Sequence, residues 1–165
     1  MLRPAVAADG PAITAVTTAG FASYADFAPA GWAPPADMTD DTVVDRLTQP
    51  DAWGVVAEDA GEVIAFGAFD PAREPHRDGP LVEGLAHVWA VFAAPSHWGT
   101  GAARDVLHAL HDEIRMQGYR EARLYTPAGQ ARARAFYARE GWAERGAPIW
   151  VEGLGLDVVE LRRPL

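Results

Sequence analysis

The chain of 165 residues contains no cysteine and no lysine. Without cysteine there is no disulfide framework and no cysteine nucleophile. Without lysine there is no Gly-Lys-Ser/Thr phosphate loop, and every one of the 14 basic residues is an arginine. Long apolar runs are missing as well. None approaches the roughly 18 residues of a membrane span. The N-terminus lacks the basic stretch and apolar core of a secretory signal. These absences point to a cytoplasmic protein that does not enter a membrane. Positive charge is scarce, since 23 acidic residues leave a net charge of −9. That balance argues against nucleic acid, which favours a basic face. It would steer a cationic ligand inward, and it serves equally well to keep the chain soluble.

What is present fits one ordinary α/β domain spanning 1–165. Apolar residues make up 49% of the chain, a usual share. The length suits one core and is too short for two comfortable ones. Arginine as the sole base besides histidine, with abundant Ala, Gly and Pro, points to a GC-rich bacterial genome. There is no internal repeat and no low-complexity linker.

Hydrophobic spacing and breakers divide the chain. Leu2 to Val6 reads as a strand. Asp9 caps a helix to about Gly20, with Pro11 in its first turn. The prolines of residues 27–37 exclude regular structure there. Thr39 caps a short helix that Pro50 stops. Trp53–Glu58 and Glu62–Phe69 form a hairpin around Asp59-Ala60-Gly61. Asp70 to Pro80 reads as a polar loop, and Leu85 to Ala94 as a central strand. A helix burying Val106, Leu107, Leu110 and Ile114 ends at Gly118. Glu121–Thr126 is a strand and Gln130–Glu140 a helix. Two strand-like pieces lie between Ile149 and Leu161. The order β-α-α-β-β-β-α-β-α-β-β predicts an α/β (α+β) fold, a mixed sheet with helices on both faces.

The most informative stretch is Pro95-Ser96-His97-Trp98-Gly99-Thr100-Gly101-Ala102-Ala103, between the central strand and the helix after it. Gly99 and Gly101 permit φ > 0 and close approach of a ligand. The helix start offers free N–H groups and a positive dipole end, an arrangement that holds phosphate. A dinucleotide fingerprint is disfavoured, because Arg104 occupies the place of its third glycine. On the loop alone, a plain strand-to-helix turn explains the glycines equally well.

A second segment decides between them. Gln130, Ala133, Phe136 and Tyr137, followed by Gly141-Trp142, form a pattern at the expected distance from Trp98-Gly99-Thr100-Gly101-Ala102-Ala103. Together, over residues 85–145, they resemble the GNAT superfamily of N-acetyltransferases. In that family the first motif reads Q/R-x-x-G-x-G/A and the second N-x-x-A-x-x-F-Y, closing in Gly-Phe. Trp98, Gln130 and Trp142 depart from those patterns. The resemblance implies a mostly antiparallel sheet whose central strand pair splays apart to admit the pantetheine arm of acetyl-CoA. Main-chain groups near Phe92 and Ala93 would pair with that arm. The pyrophosphate would sit over Trp98, Gly99, Thr100, Gly101, Ala102 and Ala103, and Gln130 and Phe136 would complete the cofactor site. No metal is implied. A homodimer through the C-terminal strands is compatible with the family.

The implied reaction is direct transfer of an acetyl group to a primary amine of a small molecule or peptide. With no cysteine, an acyl-cysteine intermediate is excluded. An ammonium of ordinary pKa, about 10.4, must lose a proton before it attacks. The resemblance places Tyr137 as the general acid near the thioester sulfur. For the base, His87 on the central strand is the first candidate, since an imidazole of pKa about 6.5 accepts a proton at neutral pH. Glu83 is the second, and a water chain a third. Tyr24, Phe27, Trp32 and Trp53 would line the acceptor pocket, drawn from residues 24–35 and the loop 70–83. Asp26, Asp37 or Glu83 would attract a cation. His108 and His111 read as solvent-facing, and so do Arg132 and Arg134, for which a contact with the cofactor is the alternative. The competing reading is a non-catalytic acyl-CoA- or drug-binding module of the same fold.

Overall fold

The computed structural model describes residues 1–75 and 79–165. In chain order its elements are β1 (Leu2–Pro4), α1 (Gly10–Gly20), α2 (Asp40–Leu47), β2 (Trp53–Asp59), β3 (Glu62–Arg73), β4 (Leu81–Ala93), α3 (Ala102–Met116), β5 (Glu121–Pro127), α4 (Ala131–Arg139), β6 (Ala143–Val151) and β7 (Leu156–Pro164). The strands form one sheet in the order β1-β2-β3-β4-β5-β7-β6. Among the described residues, only β4 and β5 pair in parallel. A parallel neighbour needs a crossover, and α3 supplies it.

Apolar clusters cover both faces of the sheet. On one face, Ile13 of α1 and Val43 of α2 pack on Val56, Phe66, Ala68 and Ala90. On the other, Val106, Leu107, Leu110 and Ile114 of α3 pack on Phe69, Val88 and Leu124. Their spacing follows the helical period, which is why α3 is legible in sequence. Burial of each large side chain contributes about 1.5–3 kcal/mol. Contact is close at Gly67, where a Cβ would lie 2.5 Å from Val106 Cγ1. Among the described residues, no helix is long and apolar enough to cross a membrane.

Three expectations are corrected. The segment Asp70–Arg73 is strand rather than loop, and β4 begins at Leu81 rather than Leu85. Pairs Asp70↔His87 and Pro71↔Ala86 extend the ladder. β2 has ended its pairing at Phe69, so β3 is an edge here and tolerates Pro71. Residues 76–78 of the expected loop lie outside the described residues. Strand β6 starts at Ala143, well before Ile149. It is the outer strand and nearly all of it is exposed, so no buried face imposes the alternation that reveals a strand. Asp9 stands at the start of α1 without capping it through its side chain. Its carboxylate instead accepts from Val6 N–H and from Arg3.

Candidate active site

The site begins with a bulge. Residues Ala65 to Ala68 of β3 pair with Ala93 to Ala90 of β4, and then Phe69 pairs with Val88. Trp89 is therefore an extra residue on β4. Such a bulge bends its strand and increases the local twist. Just before it, the parallel ladder between β4 and β5 stops. Its registered pairs are Leu85↔Glu121, Ala86↔Ala122 and His87↔Arg123. Beyond His87 and Arg123 the two strands part, each still paired on its other side.

A cavity of about 770 Å³ follows this gap, from Trp98 and Gly101 at one end to Tyr24 and Arg46 at the other. Ala94 N–H bonds Ile64 O at 2.9 Å, which makes Ala65↔Ala93 a pair whose own main-chain groups turn away from β3. Ala93 and, two residues back, Val91 thus present their main-chain groups to the gap. One of these is already engaged, because Trp98 Nε1 donates to Ala93 O at 2.9 Å.

At the loop end, Gly99 has φ 82° and Gly101 φ 100°. Among the described residues, nothing lies within 4 Å of the point where a Cβ on Gly99 would sit. The backbone is bare and exposed there, so a ligand can approach it closely. Gly101 is the residue before α3, and the first-turn N–H groups of that helix open beside it. Thr100 is tied inward, its hydroxyl donating to His97 O at 2.8 Å. His97, Arg104, Arg132 and Arg139 line this end of the cavity. The bare glycines, the helix start and the three arginines suit a phosphorylated ligand. Gln130 lines the same cavity with its amide engaged at both ends. Nε2 donates to Ser23 Oγ at 3.2 Å, and Oε1 accepts from Thr126 Oγ1 at 3.4 Å. It ties α4 to the turn after α1.

At the point of divergence, Tyr137 and His87 reach the cavity from different elements. Tyr137 projects from α4, backed by Phe136 and Trp142 at ring distances of 5.1 and 6.0 Å. Gly141, with φ 82°, closes that helix. The Tyr137 hydroxyl makes no hydrogen bond to a described residue. Burial pushes its pKa up, and the nearby Tyr24 hydroxyl adds to the shift. It therefore stays protonated and can donate. Tyr24 is itself pushed up by burial.

His87 is 9% exposed and shares the α1/α2 face of the sheet with its register partners Asp70 and Arg123. Its ring lies 5.8 Å from that of Tyr125, whose hydroxyl donates to Glu160 Oε2 at 3.4 Å. On the same face Arg46 Nε donates to Asp70 Oδ2 at 2.9 Å, and the Arg46 guanidinium lies 4.4 Å over the Trp89 ring. Asp37 lines this half of the cavity too. Among the described residues, no group of three or more His, Asp or Glu gathers as a metal would require.

Other expected residues sit elsewhere. Glu83 is exposed near the start of β4 and does not line the cavity. Trp53 packs on Phe69 at 6.1 Å. The pair Trp53↔Phe69 puts it on the α3 face, opposite the acceptor half. Phe27 and Trp32 stand behind Tyr24 at ring distances of 5.0 Å each, and Trp32 Nε1 is bound to Leu154 O. They brace Tyr24 rather than line the cavity. Asp26 does not line it either. His111 is buried against Trp142 rather than solvent-facing, and burial pushes its pKa down to about 3. His108 bonds Glu140 at 2.7 Å. Arg134 is held by Glu144 and Ala128 O. Arg46, Asp70, Trp89 and Tyr125 were not expected. They converge from separate elements, and no local spacing signals that.

A splayed parallel pair, a glycine-bearing turn into a helix and a tyrosine on the next helix define an acyl-CoA-type cleft. The family model for the acetyltransferase (GNAT) family matches residues 21–142. The chain belongs to this family of N-acetyltransferases, whose enzymes draw the acetyl group from acetyl-CoA. It is 30% identical to an IAA acetyltransferase of Azospirillum brasilense over 112 residues, 68% of each chain. Its fold is similar to that of a PaiA N-acetyltransferase from Thermoplasma acidophilum in complex with coenzyme A. The TM-score is 0.80 at 13% identity, over 100% of this chain and 98% of that one. It is similar also to a phosphinothricin acetyltransferase from Sinorhizobium meliloti in complex with AcCoA. There the TM-score is 0.74 at 22% identity, over 100% and 88% of the chains.

Proposed function

We propose that the chain transfers acetyl from acetyl-CoA directly to a primary amine of a small molecule or peptide. The observation that carries this is the parting of β4 and β5 beyond His87 and Arg123, with Tyr137 lining the cavity that follows the gap. Bound there, acetyl-CoA supplies an activated thioester. The main-chain groups of Val91 and the bare turn Gly99–Gly101 fit its pantetheine arm and its phosphates.

The residues divide the remaining work. The aromatic wall of Phe21, Tyr24 and Phe92 and the acidic Asp37 receive the acceptor on the α1/α2 face. His87 takes the ammonium proton, freeing the nitrogen lone pair for attack on the carbonyl carbon. Tyr137 donates its proton to the departing sulfur, and the second proton that the attacking nitrogen sheds as the amide forms restores the hydroxyl. Holding both reactants in one cavity supplies much of the acceleration without further groups.

The test is release of free thiol from acetyl-CoA across a panel of amines, for wild type and Tyr137→Phe. Amine-dependent release that falls in the variant supports the reading. Binding of acetyl-CoA with no release for any amine favours a non-catalytic acyl-CoA-binding module. No binding at all overturns the proposal.

A further inference from the structure

Arg132 stands in the first turn of α4 with its guanidinium 4.5 Å over the ring of Trp98. Trp98 belongs to the loop between β4 and α3, so this stack spans the mouth of the cavity from one bank to the other. The indole is not free to turn. Its Nε1 is bound to Ala93 O at 2.9 Å, and its ring packs against the α3-side core. A guanidinium lying on an aromatic face spends its face on the stack and keeps its N–H donors at the edge.

No carboxylate among the described residues forms an ion pair with Arg132. Two residues on, Arg134 is fully committed to Glu144, at 2.6 and 3.0 Å, and to Ala128 O. Arg132 thus lies beside the cavity without an acidic partner among the described residues, in a chain of net charge −9. Arg104 approaches from the other bank, its Nη2 3.1 Å from the point a Cβ on Gly101 would occupy.

We infer that Arg132 binds a phosphate group of the CoA nucleotide, with Trp98 as the residue that positions it. The inference rests on the proposed acetyl-CoA site and adds a phosphate-reading arm from α4 to the main-chain donors of the loop. Arginine suits this role because its planar fork matches phosphate geometry. Recognition is thus directed at the phosphorylated half of the ligand, not at its pantetheine arm.

The experiment compares acetyl-CoA with S-acetylpantetheine, which carries the thioester and no phosphate. Titration calorimetry and thiol release are measured for wild type, Arg132→Ala, Arg132→Lys and Trp98→Leu. Arg132→Ala is expected to weaken acetyl-CoA binding about tenfold. It should also flatten the salt dependence of Kd and leave kcat/KM for S-acetylpantetheine unchanged. Arg132→Lys should recover part of the loss. Trp98→Leu should reproduce part of it, and the double variant should lose less than the sum of the two. Equal affinity of Arg132→Ala and wild type for acetyl-CoA overturns the inference alone. An equal loss on both ligands overturns it too, by assigning Arg132 a structural role. A wild type that binds no acetyl-CoA overturns the reading of the whole site.

Discussion

The carboxylate of Asp9 accepts from both terminal nitrogens of Arg3, at 2.8 Å each, and from the main-chain N–H of Val6 at 2.8 Å. Arg3 also bonds Glu58 of β2. One guanidinium therefore joins the turn before α1 to the first strand pair. The Arg3 hydrogen bonds hold Asp9 below the usual carboxylate range, against the opposing effect of burial. A depressed carboxylate stabilises the fold above its unfolded pKa, about 3.9. That contribution disappears as pH falls through the folded value. Asp9→Asn is expected to lower Tm at pH 7 by about 2–4 °C. The difference from wild type should shrink on acidification below about pH 4. A Tm gap that is constant down to pH 2.5 would contradict this.

Gly101 precedes α3 with φ 100°, a conformation L side chains rarely adopt. A Cβ there would also press on Arg104 Nη2 at 3.1 Å. Gly101→Ala is expected to weaken acetyl-CoA binding by about tenfold or more and to lower stability by about 1–2 kcal/mol. Calorimetry and thermal melts check it. Unchanged binding would show that the loop conformation is not used.

Tyr137→Phe removes one oxygen from a side chain whose ring is already packed. The expected result is a fall of about 10²-fold in kcat, with acetyl-CoA affinity within about twofold of wild type. Burial holds the wild-type hydroxyl protonated. Any basic limb of kcat that depends on this group therefore lies above about pH 10. A large loss of affinity with kcat intact would assign Tyr137 to binding instead.

His87→Gln keeps a polar side chain of similar length without a base. It is expected to lower kcat/KM for amine acceptors by about 10²-fold and to remove the acidic limb of its pH profile. The limb would reflect imidazole protonation, which blocks proton acceptance. If the limb persists in the variant, the base is another group or a water chain.

The site was legible where its signals are local. Gly99 and Gly101 betray their positive φ in sequence because few other residues tolerate it. Phe136 and Tyr137 share one helix with a fixed period, and Gly141 follows its end. The pocket residues behaved differently. Trp53 and Tyr24 look alike as isolated aromatics, yet the pairing Trp53↔Phe69 sends one to the far face. Glu83 has the right chemistry and the wrong exposure. Arg46 and Asp70 are 24 residues apart and meet only when α2 lies on the sheet.

By itself the sequence determined the order of elements, the α3 core face, the glycine turn and the family motif. Each is a matter of backbone preference or of periodicity within one segment. The tertiary structure alone decided where β4 leaves β5, since the extra residue Trp89 is visible only against the register of β3. It alone decided which aromatics line the cavity and which brace it, and it set Arg132 on Trp98. Those relations depend on strand register and on faces meeting across the sheet. A single-residue shift of register reverses every side chain's face.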